Sequence, residues 1–206
     1  MIERKKIPDG DDTIVYDGHL GGFRSGPIGD PDTYDPAVWD LLYKMYTPNS
    51  VIDIGCGEGH ALNYFKTLGV KQILGIDGTR AIYEHSPIAD NILIVDFYKG
   101  RFVPTDIYDL AWSSEFVEHV DEEYIENYFY IFFKSKYVAM SHALENQNGH
   151  HHVNCKSEQY WIDLFETNKF KYFREETQQL RNVSTARYIK QTIKIFKNLN
   201  QEFKIS

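Results

Sequence analysis

Apolar and polar positions fall into short alternating blocks along most of the chain. Val51, Ile52 and Ile54 form a brief apolar run of the buried-strand type, which stops at Gly55, Gly57 and Gly59. Ala61, Leu62, Tyr64, Phe65 and Leu68 then recur at helical spacing. The pattern predicts strand, glycine-rich turn and helix. Further strands are expected at Gln72–Ile76, Asn91–Val95, Ile107–Trp112 and Tyr137–Met140, and helices over about Glu122–Lys134 and Ser157–Asn168. Phe170–Phe173 and Arg187–Phe196 read as closing strands. The second alternates Ile189, Gln191, Ile193 and Ile195, as a half-exposed antiparallel strand does.

Residues 1–35 break this rhythm. They are rich in Gly, Asp and Pro and read as loop. Tyr16, Phe23, Arg24 and Tyr34 within them suggest a flap folded over a site, the first 15 residues being equally readable as a floppy leader. Asp35-Pro36 then reads as a helix N-cap followed by proline at the first helical position. Val38, Leu41, Leu42, Met45 and Tyr46 supply that helix's apolar face. The expected organisation is a flap, 1–35, and one α/β domain, 36–206. Alternating strands and helices imply an open sheet with helices on both faces, and ligands in such sheets sit outside the strand carboxyl ends. Gly55, Asp77, Asp96, Ser113, Glu115 and His142 all follow strand ends.

A chain of 206 residues, 42% hydrophobic and 25% charged, suits one soluble domain. Its formal charge of -8 argues against a broad nucleic-acid surface. No apolar run is long enough to span a membrane, and there is no signal-peptide pattern. Two cysteines, Cys56 and Cys155, far apart in sequence, point to a reducing compartment, the cytoplasm, or the host cytoplasm for a viral chain. The abrupt start, MIERKK, suggests a domain cut from something longer.

The glycine loop narrows the ligand. Its spacing lacks the dinucleotide fingerprint, and Asp53 and Glu58 would repel phosphate. A cationic ligand without phosphates fits better, and S-adenosylmethionine, with its ammonium and sulfonium, is one. Asp77, about 20 residues past the loop, stands where an acidic residue commonly takes ribose hydroxyls.

The stretches VIDIGCGEG, ILGID, IVDF and YDLAWSSEFVEHV, from Val51 to Val120, resemble the class I S-adenosylmethionine-dependent methyltransferases. The resemblance implies a Rossmann-like, seven-stranded, mostly parallel sheet with an antiparallel C-terminal hairpin. It implies cofactor contacts from Asp53, Gly55, Cys56, Gly57, Gly59, Asp77, Gly78 and Ser113, with Asp96 and Phe97 at the adenine. GGFRSGPIGDPDTYDPAVW and SHALENQNGHHHVNCKSEQYWIDLF resemble a methyltransferase subfamily found beside or fused to glycosyltransferases, including chlorovirus enzymes that cap a rhamnose. That likeness implies a glycan or sugar acceptor and glycosyltransferase domains as partners.

Glu115, Glu118 and His119 stand at i, i+3 and i+4, one face of a helical turn, and GHHHVN offers His150, His151 or His152 as further ligands of a divalent metal. Without metal, the same Glu and His would stabilise a helix start and pack. ExxEH followed by a later His is similar to the plant small-RNA 3′-terminal methyltransferases. By position that similarity makes Glu115, Glu118, His119 and His151 the ligands, although Asn154 stands where those enzymes carry an acid. Ubiquinone-pathway O-methyltransferases have a related Glu-Glu-His site. Manganese, magnesium or a similar ion is expected, and mixed Glu/His ligation favours Mn, Co, Zn or Fe over Mg. A metal would acidify a sugar hydroxyl and orient it, and His142 or His152 would accept the proton.

The expectation is a metal-dependent O-methyltransferase acting on a sugar hydroxyl. Its rivals are RNA 2′-O-methylation, methylation of a catechol-like small molecule, and a silent cofactor-binding module that scaffolds a glycosyltransferase.

Overall fold

A computed structural model describes residues 14–200; the expected leader up to residue 13 and the last six residues lie outside it. The described chain opens with a hairpin, β1 (Ile14–Tyr16) and β2 (Gly22–Arg24). After α1 (Pro36–Tyr46), a seven-stranded sheet is built from β3 (Ser50–Ile54), β4 (Gln72–Asp77), β5 (Ile92–Ile94), β6 (Tyr108–Ser113), β7 (Ser135–Met140), β8 (Phe170–Tyr172) and β9 (Lys194–Asn198). Between the strands run α2 (His60–Thr67), α3 (Ile125–Phe133), α4 (Glu158–Thr167), α5 (Arg174–Val183) and α6 (Arg187–Thr192).

The strand order is β5-β4-β3-β6-β7-β9-β8, parallel except that β9 runs antiparallel to both β7 and β8. This is the Rossmann-like methyltransferase architecture. The chain builds outward from β3 to β5, then returns to place β6 on the other side of β3. That reversal opens a crevice at the carboxyl ends of β3, β4 and β6.

Side-chain alternation along the strands divides the core in two. Val51, Leu110, Trp112, Ala139 and Ile195 pack with α1, α2, α5 and α6 through residues such as Leu42, Phe65, Leu180 and Ile189. Ile52, Ile54, Ala111, Val138, Met140 and Phe196 pack on the other face against the aromatic side of α3 and α4, including Phe132, Trp161 and Phe165.

Asp35 caps α1 as its sequence suggests, and Pro36 occupies the first turn. It does more than cap. Fully buried, its Oδ2 accepts from Ser184 Oγ and from the backbone N–H groups of Thr185 and Ala186, at 2.5, 3.1 and 3.2 Å. The start of α1 is thereby fastened to the turn before α6.

Three expectations need correction. Arg187–Thr192 is helix, with Ile189 and Thr192 buried on one side, so the alternation read across it holds only for β9. That strand is interior, not half-exposed, because it is inserted between β7 and β8; only Lys197 is exposed. The hairpin and α5 were not anticipated. In α5 only Thr177 and Leu180 are buried, too few to produce a helical apolar period.

Candidate active site

A cavity of about 470 Å³ lies at the strand carboxyl ends. One side of it is the glycine loop. The N–H groups of Gly55 and Cys56 both donate to the carbonyl of Ile76, which holds the loop against the end of β4. Gly55 has φ 73°, and a Cβ there would lie 2.6 Å from Phe116 Cβ, so the close approach of the two segments demands glycine. Asp77 closes the loop by accepting the N–H of Gly57 at 2.8 Å and of Thr79 at 3.1 Å. Asp53, 2% exposed, leaves Oδ1 without a partner at the cavity wall. Burial pushes the Asp53 carboxyl well above its usual range, and the Asp77 charge pushes the same way. Asp77 is also raised by burial, against the pull of its backbone N–H donors. An orphaned buried carboxylate oxygen beside an open glycine turn fits a ligand with an ammonium group.

Asp96 and Phe97 line the same cavity. Burial would raise Asp96, but Lys99, His19 and the Tyr98 N–H outweigh it and hold the carboxyl below its usual range. Cys56 and Gly78 also line it. Gly59 and Ser113 do not. Gly59 precedes α2 with Ile88 packed beneath it, and Ser113 is fully buried, its Oγ donating to the Ile54 carbonyl at 3.0 Å. Ser113 ties β6 to β3, so its expected cofactor contact is not where the side chain is placed.

The segment 16–34 adds to the cavity wall. Tyr16, Phe23, Arg24 and Tyr34 line the cavity. Asp17 accepts from Thr79 Oγ1, Ser25 Oγ donates to buried Glu58, and His19 meets Asp96 at 3.2 Å. Leu20 packs so closely on Gly78 that a Cβ there would meet it at 2.8 Å.

The Glu/His group lies beside the glycine loop, and its backbone is not the expected helical turn. Glu115 has φ 49°, a left-handed conformation rare outside glycine, and Val117–His119 form a single 3-10 turn. Glu115 is held by Ser141, whose Oγ donates to its Oε1 at 2.9 Å. Glu118 is fully buried. Its Oε1 accepts the Ala143 N–H at 3.2 Å, and its carbonyl accepts the N–H groups of Val153 and Asn154 at 2.9 and 3.1 Å. Glu118 thereby pins the histidine loop. Its Oε2 has no partner, and neither has His119 Nδ1.

The three histidines part company. His152 Nδ1 lies 2.9 Å from the Gln147 carbonyl, which can only accept, so Nδ1 carries the proton and Nε2 keeps a lone pair. Ligand atoms of Glu118, His119 and His152 all lie within 4.8 Å of one another. His151 is not among them. With φ 51° it turns away to Tyr98 Oη, 3.0 Å from its Nε2. His150 reaches the Gly18 carbonyl at 3.0 Å and packs on Tyr16. His152, expected as a base, rather than the expected ligand His151, thus stands beside Glu118 and His119. Burial, then the Glu115 charge, pushes the Glu118 carboxyl well up. Burial, then His152, pulls His119 down to about 4. A cation would favour the ionised Glu118 carboxylate and take the already neutral His119 imidazole as a ligand, so the donor set fits a divalent metal.

His142 also needs correction. It is 1% exposed and absent from the cavity wall. Its Nδ1 donates to the Ala143 carbonyl, and its Nε2 accepts from buried Lys194 Nζ at 2.8 Å. Burial, then Lys194, lowers it to about 3. It stays neutral, but no acceptor can reach it. Asp30, Asp32 and Tyr188, which sequence reasoning passed over, do line the cavity.

Among the described residues no helix is long and apolar enough to cross a membrane. No curated protein sequence matches the chain significantly. Solved structures do share its fold. The plantazolicin methyltransferase BpumL in complex with SAH has a TM-score of 0.56 at 16% identity, over 79% of this chain and 82% of that one. The methyltransferase domain of bacterial CtHen1 has a TM-score of 0.54 at 16% identity, covering 79% and 98%. A TehB-like SAM-dependent methyltransferase from Corynebacterium glutamicum has a TM-score of 0.57 at 12% identity, covering 79% and 87%. At such identities the likeness concerns the fold. The family model described as "Methyltransferase domain" matches residues 34–194, most of the chain including the glycine loop and the Glu/His group, and the chain belongs to that family.

Proposed function

We propose that the chain transfers the methyl group of S-adenosylmethionine to a hydroxyl of a sugar acceptor, and that it uses a divalent metal to do so. The observation that carries this reading is the group of Glu118, His119 and His152 with two orphaned buried atoms facing the cofactor cavity. A bound divalent cation supplies Lewis acidity and a rigid seat for a vicinal pair of hydroxyls. Glu118, His119 and His152 would hold it, with Glu115 beside them. Asp77 takes ribose hydroxyls, and Asp53 faces the ammonium. In the transfer the S–C bond breaks as the O–C bond forms, which leaves the neutral thioether. The hydroxyl proton goes to Glu115, whose carboxyl burial raises while Ser141 keeps one oxygen fixed.

The lining supports a neutral, hydroxyl-rich acceptor. Eight carboxylates line the cavity, Asp30, Asp32, Asp53, Glu58, Asp77, Asp96, Glu115 and Glu118, and Arg24 is the sole Lys or Arg among the lining residues. A phosphate backbone would be repelled there. With the sequence resemblance, this favours a terminal 6-deoxyhexose such as rhamnose, made available by a glycosyltransferase. Mass spectrometry of a panel containing methyl 6-deoxyhexosides, a catechol and a short RNA tests the reading, run with and without chelator. A methylated glycoside that disappears on chelation and returns with manganese is expected. Methylation of only the RNA or the catechol, or full glycoside methylation in chelator, would overturn it.

A further inference from the structure

Asp30 and Asp32 lie ahead of the segment matched by the family model, which begins at residue 34. Asp30 Oδ1 accepts the Asp32 N–H at 2.9 Å, and the Asp30 carbonyl takes the N–H groups of Thr33 and Tyr34 at 3.0 and 2.9 Å. This compact turn leads directly into Asp35, the buried clamp that fastens it to residues 184–186. Tyr188 follows two residues later, and its N–H donates to the Asp32 carbonyl at 3.2 Å. Two segments about 150 residues apart thus meet on a rigid base, as a recognition surface requires.

Among the described residues no Lys, Arg or His lies within ion-pair distance of Asp30 or Asp32, and neither the Asp32 carboxylate nor the Tyr188 hydroxyl has a hydrogen-bond partner. All three residues line the cavity. Burial raises the Tyr188 phenol, the Asp32 charge adds to it, Arg187 over its ring pulls the other way, and Asp30 and Glu115 add smaller upward pushes. The same cavity receives the orphaned Oε2 of fully buried Glu118. The turn and Tyr188 therefore line the same cavity as Glu118.

We propose that Asp30, Asp32 and Tyr188 form the acceptor-selecting wall of the cavity, and that they grip sugar hydroxyls other than the one methylated. This rests on the sugar-acceptor reading given above. Carboxylates accept from hydroxyl groups, and the phenol can donate or accept, so the wall reads the positions of neighbouring hydroxyls on the ring. An acceptor lacking one of those hydroxyls leaves a carboxylate without its partner, which is a strong ground for rejection.

The test uses methyl α-L-rhamnoside and its monodeoxy analogues with wild type, Asp32→Asn and Tyr188→Phe. Neither substitution removes a bond that supports the fold. In each variant the KM for the rhamnoside should rise by about ten- to a hundredfold, while kcat and the dissociation constant for S-adenosylhomocysteine stay within about twofold. One monodeoxy analogue should be poor for wild type and no poorer than the rhamnoside itself for Asp32→Asn. Unchanged KM values in both variants would overturn the wall and leave the sugar reading standing. A wild type that methylates no glycoside, with or without activity on the catechol or the RNA, would overturn both.

Discussion

Two pairs of carboxylates serve the cavity, each with one buried member, Asp53 or Glu118, and one half-buried member, Asp77 or Glu115, and they are satisfied in different ways. Asp77, of the pair Asp53 and Asp77, is held by the N–H groups of Gly57 and Thr79. Its geometry is complete without a ligand, apart from one orphaned oxygen on Asp53. The pair Glu115 and Glu118 is not complete. Glu118 keeps a buried oxygen unpaired, His119 keeps a buried nitrogen unpaired, and Glu115 sits in a left-handed backbone. The first pair is a preformed hydrogen-bonding cradle. The second leaves buried polar atoms unpaired, a cost that the metal of the proposed function would offset. The glycine-loop pair should therefore govern cofactor affinity, and the Glu/His group should govern turnover.

The largest expected effect breaks the second pair alone. Glu118→Gln keeps the shape and the acceptor for Ala143 but removes the charge. Turnover should fall by at least about a hundredfold while calorimetric affinity for S-adenosylhomocysteine holds. Loss of both together would merge the two pairs into one functional unit. Asp77→Asn gives the converse result: cofactor affinity should fall about ten- to a hundredfold, with much of the turnover recovered at saturating cofactor. Gly149→Ala is subtler. A Cβ there would lie 2.1 Å from His152 Nε2, so the ring must move. Manganese affinity should weaken by about tenfold or more, with cofactor affinity intact. Equal manganese binding by wild type and this variant would exclude His152 as a ligand.

The smallest expected effect lies away from the cavity. Lys194 is fully buried, and burial lowers its pKa from 10.5 to about 7 against the opposing pull of Glu158. Between those values the unfolded chain binds a proton that the folded chain does not, so stability rises with pH. Thermal midpoints should climb from pH 7 to about pH 9 in wild type and climb less in Lys194→Met. His142, lowered from 6.5 to about 3, works in the same direction in its own window, so stability should fall again as pH drops below 6.5. An equally steep rise between pH 7 and 9 in the variant would show that the Lys194 charge is not what the fold excludes.

Much of this was legible in the sequence wherever local chemistry and tertiary structure agree. The strand, glycine turn and helix over residues 50–67 were readable because apolar period, turn glycines and ligand geometry coincide there. Asp35-Pro36 announced a helix for the same reason. Tertiary context hid the rest. Ile189, Gln191 and Ile193 alternate like a strand, yet the clamp between Asp35 and residues 184–186 fixes a helix start just before them. ExxEH reads as a helical face, but Glu115 is left-handed and its N–H and carboxylate both bond Ser141, while Phe116 packs on Gly55. Three adjacent histidines carry no signal to separate them. The nearby Gln147 carbonyl and, from distant parts of the chain, Tyr98 and the Gly18 carbonyl do that. His142 followed a strand end as catalytic residues do, but Lys194, 52 residues on, takes its free nitrogen.

Metal titration tests the central claim most directly. Manganese is added to wild type and Glu118→Gln, each saturated with S-adenosylhomocysteine, and bound ion is counted by electron paramagnetic resonance. One ion per chain in wild type, and none of comparable affinity in Glu118→Gln, is the predicted result. Equal binding by the two proteins, or no bound ion in wild type, would contradict it and return Glu118 and His119 to the role of holding the histidine loop in place.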